Sequence, residues 1–170
     1  MPRERRHTTV PIALLVCLLG LGVGTAHAGQ DAFVLPELAG YRLTEAVFIR
    51  FEQATTGLAA AARADARFDN APLFTRDVAM LEDAPTAAAQ LELRLRVEPA
   101  FARALNGTAI SPREYTKFAL ALLAAQMAHG FLAAGVLRGV PPGVTADNVS
   151  FVRERQADII AVLADMGVQH

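Results

Sequence analysis

SPREYTKFALALLAAQMAHGFLAAGVLRGVPPG, residues 111–143, is the stretch on which the fold turns. Ser111 at the N-cap, Pro112 at the first helical position and Glu114 three residues after the serine form a capping box. A long helix is therefore expected to start here and to run to about Arg138. From Phe118 to Leu137 its only strongly polar side chains are Gln126 and His129. Twenty such residues make about 30 Å of helix, enough to cross a bilayer. The many alanines and the two polar groups near the middle instead favour the central helix of a bundle, which must be apolar all round. Single-helix or peripheral membrane association through 118–137 is the competing reading. Gly130 and Ala134, and Gly135 and Gly139, stand four apart, a small-residue spacing that permits close helix contact in either setting.

Downstream, Pro141-Pro142 makes Gly139–Gly143 a rigid loop. A final helix is expected from Thr145 or Asp147 to about Met166. Val149, Val152, Gln156, Ile159, Leu163 and Met166 would face inward, and Arg153, Glu154, Arg155 and Asp158 outward. Upstream, Pro99 fits the first turn of a short helix ending at Asn106-Gly107. Before it, Leu91 to Glu98 alternates apolar and charged residues, the pattern of a half-buried strand, yet no second strand is visible to pair with it. The alanines at 87–89 favour helix, so Thr86–Arg96 is read as helical, with 86–98 as extended chain the alternative. The first long helix is expected from Thr44, its N-cap, to about Ala66, with Val47, Phe51, Ala54, Leu58 and Ala61 on one face. A turn over Arg67–Pro72 and a short helix from Pro72 to about Glu82 complete the set. The expected fold is all-α: a small, four-helix-bundle-like domain over 41–167 with additional short helices, preceded by an N-terminal extension, 29–40.

The first 28 residues differ in kind from this domain. Arg3, Arg5 and Arg6 precede an apolar run from Val10 to Gly24, and Ala26-His27-Ala28 supplies the small residues of a cleavage site. That layout leads one to expect a secretory signal peptide cut after Ala28, with the mature chain in the periplasm or outside the cell. Cleavage removes Cys17, the only cysteine, so disulfides, thiolate catalysis and cysteine-held zinc or iron–sulfur clusters are not expected of the mature protein.

The whole chain of 170 residues carries a formal charge of −1 and is 53% hydrophobic, which excludes both a basic nucleic-acid footprint and intrinsic disorder. Chemistry-bearing residues are few. His129 and His170 are the only histidines after residue 28, and H-E-x-x-H, G-x-S-x-G and phosphate-binding glycine patterns are absent from the sequence. No enzyme is expected. The candidate site is Gln126 and His129, three apart on one helical face, with Gln156 as a third member. Buried polar groups need partners, so the set either hydrogen-bonds internally and fixes helix register or lines a pocket for a small apolar ligand. Bundles can hold haem between His and Met, but Met80, Met127 and Met166 read as core fillers in so apolar a chain, and no cofactor is expected. The primary expectation is an exported, non-catalytic bundle acting through protein–protein contacts or as an accessory subunit. The alternative is a ligand-binding module with its pocket near Gln126 and His129.

Overall fold

The computed structural model describes residues 38, 40–65 and 84–165. Among them are six helices and no strand: α1 (Glu45–Arg63), α2 (Ala84–Val97), α3 (Pro99–Asn106), α4 (Pro112–Ala133), α5 (Ala146–Glu154) and α6 (Gln156–Asp165). The chain is all-helical over these residues, as its composition and periodicity lead one to expect. The expected signal peptide, the expected turn at 67–72 and short helix at 72–82, and Met80, Met166 and His170 lie outside the described residues.

The alternating segment is where two periodicities compete, and the helix wins. A strand would place Leu91, Leu93, Leu95 and Val97 on one face. Helix α2 divides them instead: Leu91 and Leu95 are buried, whereas Leu93 and Val97 are 58% and 59% exposed. Residues one turn apart share a face, so the same four side chains serve two opposite surfaces.

Helix α4 begins as its capping residues dictate, with the Glu114 backbone N–H donating to Ser111 Oγ at 3.1 Å. It ends five residues before the expected Arg138. Gly135 adopts φ +70°, its N–H donates to the Leu132 carbonyl at 3.1 Å, and the Val136 N–H donates to the Phe131 carbonyl at 2.9 Å. This is a Schellman stop, which the glycine accepts without the steric cost of a Cβ. The 118–137 stretch is therefore not one helix. Pro112–Ala133 remains long and apolar enough to cross a membrane by length and composition, and half of its most apolar window is buried inside the protein.

The last helix also departs from expectation. It is two helices, interrupted at Arg155 (φ −110°, ψ 19°), with no proline or glycine to announce the break. Arg155 pairs across to Glu45 at the start of α1 and along its own chain with Asp158. The buried positions of these helices are Asn148, Val152, Ile159 and Val162, and Gln156 stands exposed instead of inside the apolar stripe.

An aromatic cluster forms the centre of the core. Phe51 of α1 stacks on Tyr115 of α4 at 4.7 Å and meets Phe118 at 4.8 Å, while Phe48 reaches Phe118 at 6.2 Å and Phe151 of α5 edge-on at 5.8 Å. Helix α1 also packs on α3 and α6, and α4 on α2 and α5, so α1 and α4 gather the other four around them. The α1–α3 approach is close because Gly57 faces Ala104; a Cβ built on the glycine would sit 3.4 Å from the alanine's. Leu38 is buried in the same core, which brings the end of the N-terminal extension into the bundle.

The turn before α4 carries local strain. Ala109 has φ +52°, a conformation that costs an L-residue about 1 kcal/mol or more. Arg50 on α1 holds it there, donating to the Ala109 carbonyl at 2.9 Å and pairing with Glu114 at 3.4 Å. Ala109→Gly is expected to raise stability by about 0.5–1 kcal/mol, because relief of the strain exceeds the added entropy of the unfolded glycine. An unchanged or lowered denaturant midpoint would count against strain at this residue.

Candidate functional site

The candidate residues sit where α4 leaves the core. Phe118, Leu122 and Ala125 form a buried stripe at four- and three-residue spacing, and His129 is the next position along it. Helical spacing thus aims the imidazole in the direction of the core, but at a level where burial runs out: His129 is half-buried, and no residue after Ala128 on α4 is fully buried. Gln126, one turn before it, is half-buried as well. No hydrogen bond joins either side chain to another described residue or to Gln156, so the expected internal polar network is not formed among them. Gln126 and His129 share a face; Gln156 opens α6 with its side chain in solvent. What the pair offers chemically is an imidazole and an amide at a half-wet helix end, each with unused hydrogen-bonding capacity. Among the described residues no group of three or more His, Cys, Asp or Glu comes together as a metal would require.

The buried polar groups that the structure does satisfy are others. Asn148 on α5 accepts from the Leu43 N–H through Oδ1 and donates through Nδ2 to the Tyr41 carbonyl, both at 2.9 Å. Its own N–H is taken by Thr145 Oγ1 at 3.1 Å, the cap of α5. Thr55 and Tyr115 share a hydrogen bond of 3.0 Å inside the core. The hydroxyl of Thr116, also buried, has no partner among the described residues. None of these could be found from sequence spacing. Thr55 and Tyr115 are 60 residues apart and Asn148 lies 105 from Leu43, and only the fold brings them together. The sole local signal was that Thr55 continues the Phe51–Leu58 face of α1, where a polar side chain needs a partner.

Burial pushes the Tyr115 phenol far above its usual pKa of 10.0, against a smaller opposing effect of the Thr55 hydrogen bond. Tyr41 is raised too, first by burial and then by the Glu114 carboxylate, with Arg50 opposing. Both folded-state values lie above the unfolded one, so the unfolded chain loses protons first as pH rises. Their contribution is complete below pH 10.0 and is lost above it. Tyr115 alone is expected to steepen the loss of stability to about 1.4 kcal/mol per pH unit above pH 10. Of the two tyrosines, Tyr115 should contribute its phenolate absorbance together with unfolding rather than before it. Tyr115 titrating in the folded chain near its ordinary pKa would refute this.

No protein-family model, curated protein or solved structure matches this chain.

Proposed function

We propose that this chain is an exported, non-catalytic helical bundle that acts through contacts with another protein, as a binding or accessory subunit. The observation that carries the reading is the outer face of α2. Leu93 and Val97, one turn apart, are both more than half exposed, with Ala89 and Gln90 also exposed on the same side. Large apolar side chains paired on one helical face are an anchor of the kind helix-docking interfaces use. Export is supported by the basic, apolar and small-residue layout of residues 1–28. Two measurements test these components separately. Intact mass of the protein recovered from a bacterial periplasm should correspond to a chain starting at Gly29; an unprocessed N-terminus removes the export reading. Photo-crosslinking from position 93 in the producing cell should give one discrete adduct, lost on Val97→Glu while the helical circular-dichroism spectrum persists. A smear or no adduct removes the contact reading.

A second reading, a small apolar ligand held beside Gln126 and His129, is favoured by their unused hydrogen-bonding capacity at the edge of the core. Native mass spectrometry of the recovered protein would show the ligand as added mass, abolished by His129→Ala without loss of helicity. A bare mass for the wild type sinks it.

A further inference from the structure

We infer that the turn after α4, residues 133–143, is a membrane-contacting tip that takes an anionic lipid surface. The inference rests on the export reading, which brings the chain beside a membrane. It starts from where α4 stops. The Schellman turn at Gly135 ends the helix at Ala133, so the apolar residues that follow are displayed on a turn instead of continuing a span. The sequence there is AAGVLRGVPPG, and all but Leu137 and Pro141 are exposed. Val136 is 59% and Val140 40% exposed, and a Cβ placed on Gly135 or Gly139 would meet nothing within 4 Å.

Charge identifies the occupant. Between Tyr115 and Ala146 there is no acidic residue, and the only charged side chain after Lys117 is Arg138, set between the two exposed valines. Arg138 is exposed and forms no ion pair with a described residue. The acids that flank the stretch are both engaged, Glu114 with Arg50 and Asp147 with Arg42. An apolar tip with one free guanidinium and no carboxylate matches a lipid interface, into which the valines partition while the arginine reaches the phosphates. The turn is also stiff: two prolines fix its backbone, Gly135 and Gly143 hold positive φ, and the Val144 N–H closes it on the Pro141 carbonyl at 3.2 Å. Little conformational freedom remains to be lost on contact.

The test uses the full chain with Cys17→Ser and a single environment-sensitive fluorophore on Val140→Cys, compared with the same label on Ile160→Cys, an exposed site on α6. Vesicles of phosphatidylcholine with one-third phosphatidylglycerol should shift the emission at 140 to the blue and make it quenchable by spin-labelled lipid, with no response at 160. Because both labels ride on the same chain, the apolar N-terminus recruits both labelled proteins to vesicles alike, and the difference between 140 and 160 reports which part of the bundle meets the lipid. Arg138→Gln should weaken the response at 140 about fivefold in lipid concentration, the effect of one basic residue near an anionic surface. No response at 140, an equal response at 160, or equal strength with pure phosphatidylcholine overturns the proposal. So does a blue shift that grows with protein concentration without vesicles, which would assign the tip to a second copy of the chain. Neither arm involves position 93 or N-terminal processing, so failure here is distinguishable from failure of the contact or export readings.

Discussion

Phe51→Ala is expected to cost about 3–5 kcal/mol of stability, the largest effect of any single truncation in the core. The ring is wholly buried and lies between Tyr115 and Phe118, its centroid 4.7 and 4.8 Å from theirs. Removing it takes away the transfer energy of a large apolar group and also leaves a void bounded by two rings that are themselves fixed. Tyr115 is tied to Thr55, and Phe118 also meets Phe48. Such walls collapse poorly, which places the cost at the upper end of the range for Phe→Ala. Domains of this size are stable by about 5–15 kcal/mol in all, so the variant should lose a third or more of its folding free energy. Denaturant unfolding followed at 222 nm is the measurement. Phe51→Leu, which refills most of the volume, should recover much of the loss. A Phe51→Ala cost below about 1 kcal/mol would mean that the aromatic cluster is not the centre of the core.

Phe51 was visible in the sequence, and the reason separates what could be read from what could not. Helical periodicity is a local property, so the α1 stripe through Phe51, Ala54 and Leu58 and the capping box at Ser111 could be read before any contact was known. The α2 segment was ambiguous because an alternating pattern over eight residues satisfies strand and helix equally until something says which leucines are buried. Two helix ends went astray for different reasons. Gly135 carries the stop signal, but in a run of small and apolar residues a glycine reads as a packing site as easily as a terminator. The break at Arg155 has no local signal, and its side chain is engaged by Glu45, 110 positions earlier. Of the candidate site, sequence correctly placed Gln126 and His129 on one face but overestimated their burial, since that depended on how far α4 continued. Gln156 was put on the buried stripe by assuming one uninterrupted helix. The break turns it to solvent, Ile159 stays inward as expected, and Val162 is fully buried where Leu163 is only partly so.

Asn148→Leu should be the second severe lesion, at about 2–4 kcal/mol, although it replaces a polar side chain by an apolar one at a buried position. The amide does for the segment 41–43 what a neighbouring strand would do: Oδ1 takes the Leu43 N–H and Nδ2 supplies the Tyr41 carbonyl. Leucine satisfies neither. The buried Leu43 N–H then bears its full desolvation cost, while the Tyr41 carbonyl, at a partly buried contact, is rescued in part by water. Segment 41–43 leads directly into α1, so its release frays the helix that carries Phe48 and Phe51. Asn148→Asp separates the two bonds. It retains the acceptor for Leu43 but sets a carboxylate against the Tyr41 carbonyl, so its folded-state pKa is raised, and the variant should be less stable at pH 7 than near pH 4, where a protonated carboxyl can donate. Wild type lacks that recovery on acidification, and an Asn148→Asp variant whose stability relative to wild type does not change between the two pH values would show that the Nδ2 bond is not holding the segment. The same bond has a chemical consequence: Asn148-Val149-Ser150 is a glycan acceptor sequence, but its amide nitrogen is engaged in the fold, whereas Asn106, in Asn106-Gly107-Thr108, is exposed. Glycosylation would leave one Nδ2 hydrogen able to donate, so the obstacle is space: the Asn148 side chain is buried, and a glycan there would have to open its contact with 41–43.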